Sequence, residues 1–240
     1  MIGVEKKDKF IITSCIIIMF LIAIDIVVTI LCHSEISAKD IFEKNALSVV
    51  EIKAVTEEVG ESYGTGEFVK SDGTIVTNAH VVTYSQLGEA TTFENYFIRF
   101  MDSDDYIKVS LVKYDTDLDL AILKYNSKEH NFKAVEIGNS DNVKSGNKVF
   151  AIGNAMNYGL AVSSGIVSIP LINLTYDGIT RNVIQCDLTI AEGNSGGALL
   201  DDKGKLIGIT TFRTKDNSGK VVYGFAYSIP ISVALNYLNS

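Results

Sequence analysis

Apolar residues dominate one long segment near the N-terminus. Between residues 10 and 31 the polar positions are Thr13, Ser14, Asp25 and Thr29. At about 1.5 Å per residue, a helix of this length crosses a hydrocarbon core about 30 Å thick. Segment 10–31 is therefore predicted to be a transmembrane anchor.

A cleaved secretory signal is the competing interpretation of this segment, because Ile36-Ser37-Ala38 offers small residues for cleavage. The apolar region of a signal usually runs about 7–15 residues, and this one is longer. Asp25 weighs against both interpretations unless it lies near the outer boundary, since a carboxylate in hydrocarbon is costly. The length favours an uncleaved anchor.

Basic residues flank the apolar segment unequally. Lys6, Lys7 and Lys9 lie directly before it, whereas the first base after it is Lys39. Lysine and arginine near a membrane helix favour the cytoplasmic side. Residues 1–9 are therefore predicted to be cytoplasmic, and the body of the chain is predicted to be extracytoplasmic.

The pattern of apolar residues changes after the anchor. Helical spacing within 38–49 predicts a lead-in helix, so that residues 32–49 form a linker and this helix. From residue 50 apolar and polar residues tend to alternate, which is typical of half-buried strands. Strands are predicted at about 50–57, 65–70, 74–78, 95–101, 106–114, 119–125, 134–137, 148–153, 160–169, 181–188, 197–200, 205–212 and 221–228.

A polar stretch at 126–131 divides these strands into two groups. Many short strands separated by turns favour closed antiparallel barrels. We therefore predict an all-β body over 50–240, with barrel 1 at about 50–126 and barrel 2 at about 133–229. A short C-terminal helix is predicted to close the chain.

Net charge and cysteine content indicate the class of binding partner and the role of the cysteines. The formal net charge of the 240 residues is −8, and all of it lies after residue 31, because acids and bases balance before that point. An acidic body repels nucleic acid, so polypeptides are the predicted partners. Cys15, Cys32 and Cys186 provide no disulfide framework. Cys186 lies in an apolar strand and is interpreted as a buried small hydrophobe rather than a nucleophile.

A glycine-rich turn near the C-terminus places Ser195 within Glu192-Gly193-Asn194-Ser195-Gly196-Gly197. A serine hydroxyl becomes a good nucleophile when a base removes its proton, and histidine suits this role near neutral pH. His33 abuts the anchor and His130 lies in the polar stretch, whereas His80 ends a predicted strand among apolar residues. His80 is therefore the candidate base for Ser195.

The orienting carboxylate is predicted to be Asp119, which directly precedes the apolar run at 120–123. Asp115 and Asp117 are nearby competitors whose ordinary role is that of solvated turn residues. The N–H groups of Gly193 and Ser195 are predicted to bind the oxyanion, each such donor being worth roughly 3 kcal/mol. Glycine at position 193 permits the required peptide orientation.

Three segments carry a resemblance to a known family: TNAHVV at 77–82, DLAIL at 119–123 and GNSGGAL at 193–199. They are similar to the catalytic segments of the HtrA (Deg-type) family of trypsin-like serine proteases, and the similarity extends in register over about 40–232. The resemblance implies two six-stranded antiparallel barrels with the site in the cleft between them. It implies no metal ion and no organic cofactor. Because family members often form trimers, it also implies a homotrimer.

The chain departs from the family pattern in places. Family members usually carry PDZ domains after the protease, and none follows here, so peptide sensing through such a domain is not expected. Ala155 stands where a proline is common. Asn194 fits the HtrA pattern, in contrast to the aspartate of digestive enzymes, so activation by propeptide cleavage is not expected.

Substrate specificity is predicted from two further positions of the resemblance. Thr189 resembles the floor of the primary specificity pocket, and a neutral floor favours small or medium aliphatic side chains over arginine or lysine. The strand that contains Thr210, Thr211 and Phe212 is predicted to pair with an extended substrate through main-chain hydrogen bonds. This binding mode favours unfolded chains.

These observations predict a membrane-anchored, extracytoplasmic serine endopeptidase that acts on unfolded or damaged proteins in protein quality control. The alternative is a non-catalytic peptide-binding scaffold that keeps the double barrel, because a fold does not determine a function. The presence of His80, Asp119 and Ser195 together favours the enzyme.

Overall fold

The computed structural model describes residues 2–32, 36–126, 130–176, 178–215 and 221–240. The chain divides into an N-terminal unit that ends at Ser37 and a body that begins at Ala38. Each unit is described by itself below.

The N-terminal unit contains one long helix, α1 (Ile2–Cys32). Its stretch Asp8–Thr29 has 22 residues and contains an 18-residue window with a mean hydropathy of 2.9, none of which is buried. By length and composition this helix can cross a membrane, although a signal sequence meets the same criteria. The predicted apolar helix is therefore confirmed as a helix.

The first barrel is a closed antiparallel sheet of six strands in the order β1-β2-β3-β8-β7-β6. A helical turn, α3 (Ala79–Val82), and a two-stranded hairpin, β4 (Thr83–Gln86) and β5 (Glu89–Thr92), lie between β3 and β6 in the chain. The strands of the barrel are β1 (Val49–Thr56), β2 (Gly60–Phe68), β3 (Thr74–Thr77), β6 (Asn95–Arg99), β7 (Ile107–Asp115) and β8 (Leu120–Lys124).

The second barrel is also closed, antiparallel and six-stranded, in the order β10-β11-β14-β13-β12-β9. The two closed barrels confirm the predicted fold class. The strands of this barrel are β9 (Lys148–Gly153), β10 (Ala161–Tyr176), β11 (Ile179–Asp187), β12 (Ala198–Leu200), β13 (Leu206–Lys215) and β14 (Val221–Pro230).

Two helices flank the barrels, and one apolar cluster contains residues of both helices and both barrels. The lead-in helix α2 (Ala38–Asn45) and the C-terminal helix α4 (Ile231–Asn239) confirm the two helices predicted for the body. The cluster draws residues from both helices and both barrels, including Ile41, Val76, Ile122, Phe150, Ile152, Ile209 and Ala234. Burial of this shared apolar surface holds the two barrels together.

The prediction of a strand at 134–137 is wrong. Ile137 forms only an isolated bridge with Leu206. The segment passes from one barrel to the other: the Val135 N–H donates to the Phe68 carbonyl of barrel 1, and the Gly138 N–H donates to the Leu206 carbonyl of barrel 2. Because its hydrogen bonds go to each barrel in turn, the segment joins neither ladder. The hairpin formed by β4 and β5 was not predicted, since its short strands have little apolar alternation.

Glu67 is an acidic side chain buried between apolar strands. It lies on β2 opposite Val49 on one side and Val76 on the other, and both valines belong to the shared apolar cluster. Within the described part of the chain neither carboxyl oxygen has a hydrogen-bond partner. Burial therefore raises the pKa of the Glu67 carboxyl well above its usual range.

Replacing Glu67 by glutamine is expected to stabilise the protein increasingly as the pH rises. The unfolded chain loses the Glu67 proton above about pH 4.3, whereas the folded chain retains it up to its raised pKa. Between these values wild type loses up to about 1.4 kcal/mol of unfolding free energy per pH unit relative to Glu67→Gln. Urea unfolding of the full chain in mild detergent at several pH values measures this difference.

Glu136→Gln is the control for this prediction, because the pKa of exposed Glu136 is lowered by hydrogen bonds from Lys205 and Lys44. Its stability relative to wild type is expected to fall as the pH rises towards about 4.3 and to stay constant above that value, because a lowered pKa confines the effect to acidic pH. Parallel pH profiles for wild type and Glu67→Gln would contradict a neutral buried carboxyl.

Candidate active site

A histidine and an aspartate of the first barrel form a close pair. His80 lies in α3, directly after β3, and Asp119 directly precedes β8, which pairs with β3. His80 Nδ1 lies 2.9 Å from Asp119 Oδ1 and 3.0 Å from Oδ2. The His80 backbone N–H also donates to Asp119 Oδ1, at 3.1 Å. The pairing of two adjacent strands thus brings together residues that are far apart in the sequence.

Further hydrogen bonds fix Asp119 from both barrels. Asn78 donates its side-chain N–H to the Asp119 carbonyl at 2.9 Å, and the Thr211 hydroxyl donates to Asp119 Oδ2 at 2.6 Å. Burial opposes ionisation of this carboxyl, but the charge of His80 and the hydrogen bonds from His80 and Thr211 hold its pKa below the usual value. Asp119 is therefore an ionised carboxylate aimed at the imidazole.

The competing aspartates lie elsewhere in the same turn. Asp115 accepts a hydrogen bond from the Leu118 N–H at 2.8 Å, which stabilises the turn. The Asp117 side chain is exposed. Asp119 has a left-handed backbone, with φ of 55°, that places it at the end of this turn. The sequence-based preference for Asp119 agrees with this geometry.

Ser195 lies in the loop between β11 and β12 and faces the same space as His80. Both residues line a cavity of about 450 Å³, together with Tyr63, Met156, Asn157, Glu192 and Gly193. The Ser195 hydroxyl donates to the Thr211 carbonyl at 3.0 Å. The cavity therefore contains an imidazole and a serine hydroxyl, the two groups expected from the sequence.

The loop around Ser195 has a conformation that requires glycine. Gly193 and Gly196 have φ of 89° and 81°, in the left-handed region. A Cβ atom on Gly193 would lie 2.1 Å from the Asn154 carbonyl oxygen, and one on Gly196 would lie 2.1 Å from Thr77 Oγ1. No side chain fits at either position without displacing the loop.

Hydrogen bonding sets the orientation of the peptide between Glu192 and Gly193. The Glu192 carbonyl accepts a hydrogen bond from the Met156 N–H at 2.7 Å. In a planar trans peptide the carbonyl and the N–H point in opposite directions. The Gly193 N–H therefore points away from the Met156 N–H.

Thr65, which the sequence did not assign to the site, connects the first barrel to this loop. Its hydroxyl donates to the Gly193 carbonyl at 2.7 Å and accepts from the Asn154 N–H at 2.9 Å. Its backbone N–H donates to the Ser195 carbonyl at 2.9 Å. Its place between Gly64 and Gly66 was the only signal in the sequence.

The predicted substrate-binding residues have different environments. Thr189 is exposed, and its carbonyl accepts a hydrogen bond from the Ser163 hydroxyl at 3.3 Å. The Thr211 hydroxyl donates to Asp119 Oδ2, and the Thr211 carbonyl accepts from the Ser195 hydroxyl. The backbone of Phe212 lies in β13, and its side chain is outside the described part of the structure.

For Thr210 the predicted main-chain pairing with substrate needs correction. Its N–H donates to the Gly197 carbonyl at 2.8 Å, and its carbonyl accepts from the Gly196 N–H at 2.7 Å. Both of its main-chain groups are thus engaged within the protein. The backbone of Thr210 is hydrogen-bonded to the serine loop, so its N–H and carbonyl are not free to pair with a peptide.

Comparison with known proteins agrees with this geometry. The trypsin-like peptidase domain family matches residues 64–209. The serine endoprotease DegS of Haemophilus influenzae is 32% identical over 176 residues, which are 73% of this chain and 48% of that protein. A probable periplasmic serine endoprotease, DegP-like, of Bartonella henselae is 34% identical over 173 residues, covering 72% of this chain and 32% of that protein.

A solved structure has the same fold. The HtrA-type protease AlgW with a tripeptide superimposes with a TM-score of 0.74 at 30% identity, covering 85% of this chain and 63% of that chain. The chain spans about half the length, or less, of these curated relatives. The chain belongs to the trypsin-like peptidase family, in which it is homologous to the HtrA-type serine endoproteases.

Proposed function

We propose that this chain is a membrane-anchored, extracytoplasmic serine endopeptidase with His80, Asp119 and Ser195 as its catalytic triad. The observation that carries the proposal is that the Asp119-bound imidazole and the Ser195 hydroxyl line one cavity. Homology to serine endoproteases supports the same reaction.

The proposed role of His80 follows from its protonation. An ionised Asp119 carboxylate only accepts hydrogen bonds, so His80 Nδ1 carries a proton and its N–H donates a hydrogen bond to Asp119. When the ring is neutral, the other ring nitrogen, Nε2, has the lone pair that takes the proton of Ser195 during attack on a carbonyl, and the charged ring that results is stabilised by Asp119. In the proposed mechanism the Ser195 hydroxyl, which donates to the Thr211 carbonyl in this structure, donates to this nitrogen instead.

The Gly193 and Ser195 N–H groups are the proposed oxyanion donors. The hydrogen bond from Met156 to the Glu192 carbonyl supports this role, because it keeps the Gly193 N–H on the opposite side of the peptide. Donors fixed before the reaction stabilise the developing charge without reorganisation. In the proposed function the Gly193 and Ser195 N–H groups act as such donors.

The proposed substrates are unfolded or damaged polypeptides cut after small or medium aliphatic residues. Thr189 has no charge that would pair with a basic side chain. Because the main-chain groups of Thr210 are engaged, we assign pairing with an extended peptide to Thr211 and Phe212 of β13.

Anchoring by α1 places the body outside the cytoplasm in this proposal. The helix is long and apolar enough to span a membrane, and Lys6, Lys7 and Lys9 precede its apolar stretch. One relative is described as a probable periplasmic protease.

The proposed assembly is a homotrimer, as the family resemblance implies. Sedimentation of the detergent-solubilised chain tests this assembly, and a monomer would contradict it.

Ser195→Ala is expected to abolish labelling by a fluorophosphonate probe and cleavage of an unfolded protein. The substitution removes the proposed nucleophile, while its small side chain fits the same loop. The measurement compares labelling of the full chain with that of Ser195→Ala, together with thermal unfolding of both. Mass spectrometry of the fragments from wild type is expected to show cuts after aliphatic residues.

Folded wild-type protein that neither labels nor cleaves would support the non-catalytic scaffold instead. Cuts mainly after arginine or lysine would contradict the proposed role of Thr189 while leaving the triad intact.

Gly193→Ala is expected to slow fluorophosphonate labelling by about 10²-fold or more, because loss of one oxyanion donor costs this much in related sites. The added Cβ would meet the Asn154 carbonyl and turn the peptide. Gly146→Ala is the matched control: its φ of 85° imposes similar backbone strain, but a Cβ there meets nothing within 4 Å. Equal labelling rates for the two variants would contradict the proposed role of the Gly193 N–H.

A further inference from the structure

Glu51, a buried carboxylate of the first barrel, forms an ion pair with the half-buried Arg99. Glu51 on β1 is opposite Arg99 on β6, and Glu51 is 3% exposed. Its Oε2 atom accepts hydrogen bonds from Arg99 Nε at 3.1 Å and from Arg99 Nη2 at 2.7 Å. The same oxygen accepts a third hydrogen bond, from Asn154 Nδ2 of the second barrel, at 2.9 Å. One carboxylate oxygen therefore links two strands of barrel 1 to a residue of barrel 2.

Asn154 is fully buried, and each of its polar groups is held in place. Besides the bond to Glu51, its backbone N–H donates to the Thr65 hydroxyl at 2.9 Å. Its side-chain Oδ1 accepts from the Gly159 N–H at 3.0 Å, which closes the loop 154–159. Its carbonyl oxygen lies against Gly193, where a Cβ would approach to 2.1 Å. Glu51 thus fixes a residue that is in direct contact with the serine loop.

The loop that Asn154 begins has a strained backbone. Met156 and Asn157 both have left-handed conformations, with φ of 57° and 60°. Such conformations of residues other than glycine cost free energy and persist only where the surroundings impose them. In this strained conformation the Met156 N–H donates a hydrogen bond to the Glu192 carbonyl. Through this hydrogen bond the loop contacts the peptide that carries the Gly193 N–H.

We propose that Glu51 and Arg99 are positioning residues for the oxyanion donor. The Glu51 carboxylate anchors Asn154, Asn154 holds the strained loop, and the loop orients the Gly193 peptide through Met156. This inference deepens the proposed serine-protease function and depends on it. Neither residue lines the cavity that contains Ser195.

The charge on Glu51 strengthens this anchor. A hydrogen bond to an ionised carboxylate is roughly twice as strong as one between neutral groups. A buried carboxylate persists only with compensating partners, and Arg99 supplies the opposite charge along with two of the three hydrogen bonds. The guanidinium itself lies under the ring of Tyr106, 5.3 Å from its centroid. Arg99 therefore makes it possible for Asn154 to be held by a charged acceptor.

The test uses the double variant Glu51→Leu with Arg99→Met in the full chain. Replacing both members of a buried ion pair by apolar residues avoids an unpaired buried charge, so the fold is expected to survive. The acceptor for Asn154 is lost, and the rate constant for fluorophosphonate labelling of Ser195 is expected to fall on the order of 10²-fold. Glu51→Gln keeps an oxygen acceptor and is expected to retain most of the rate.

Two further variants separate positioning from general damage. Asn154→Asp removes the Nδ2 donor from the other side of the same hydrogen bond, and a similar loss of labelling is expected. If the double variant does not fold, the labelling rate of Asn154→Asp tests the inference in its place. Ile98→Val, in the strand that carries Arg99, removes one buried methyl group of barrel 1 without touching the hydrogen bonds. Its labelling rate is expected to match that of wild type.

The state of the triad is measured in the same proteins by the downfield proton NMR signal of His80 Nδ1–H. Slow labelling with this signal retained supports the inference, because the imidazole and Asp119 remain paired while the oxyanion donor is displaced. Unchanged labelling in a folded double variant would overturn it. Loss of labelling together with the His80 signal would also overturn it, since the defect would then be general. Wild type that does not label would instead refute the proposed protease function.

Discussion

The hydrogen bonds of Thr65 tie the serine loop of the second barrel to the first barrel, and the geometry of the site depends on this contact. Thr65 is fully buried, and its hydroxyl joins Asn154 to Gly193 while its N–H holds the Ser195 carbonyl. The Thr77 hydroxyl in turn donates to the Thr65 carbonyl at 2.7 Å, next to the turn that carries His80. The side chain and backbone of one residue thus connect the strand before the histidine to the loop of the serine.

Near the site, two buried side-chain hydrogen bonds among the described residues also cross between the barrels. The Thr211 hydroxyl of barrel 2 holds the Asp119 carboxylate of barrel 1, and Glu51 of barrel 1 holds Asn154 of barrel 2. The apolar cluster between the barrels supplies non-directional attraction, which alone does not set orientation. The buried hydrogen bonds supply direction, because an unpaired polar group at these positions would be costly. The proposed catalytic groups are therefore oriented by pairs that form only when both barrels have folded and docked.

Apolar alternation and glycine-framed motifs were sufficient to predict both barrels, the pairing of His80 with Asp119 and the loop of Ser195. These features are encoded locally, by strand periodicity and by residues adjacent to strand ends. Thr65, Asn154 and Glu51 could not be assigned, because their importance comes from contacts across the barrels that no spacing in the sequence expresses. The segment 134–137 has the apolar content of a strand, but its position between barrels prevents ladder pairing. Thr210 was misassigned for a similar reason, since strand membership does not reveal which main-chain groups are already engaged.

The most direct test of this account is the rate of fluorophosphonate labelling in Thr65→Val and Thr65→Ser. Valine has nearly the same shape but lacks the hydroxyl that joins Asn154 to Gly193, whereas serine keeps it. The account predicts that Thr65→Val, folded by its thermal transition, labels at least about 10-fold more slowly than wild type, a loss that corresponds to about 1.4 kcal/mol. Thr65→Ser is predicted to label nearly as fast as wild type. A folded Thr65→Val that labels at the wild-type rate would contradict the claim that cross-barrel hydrogen bonds orient the site.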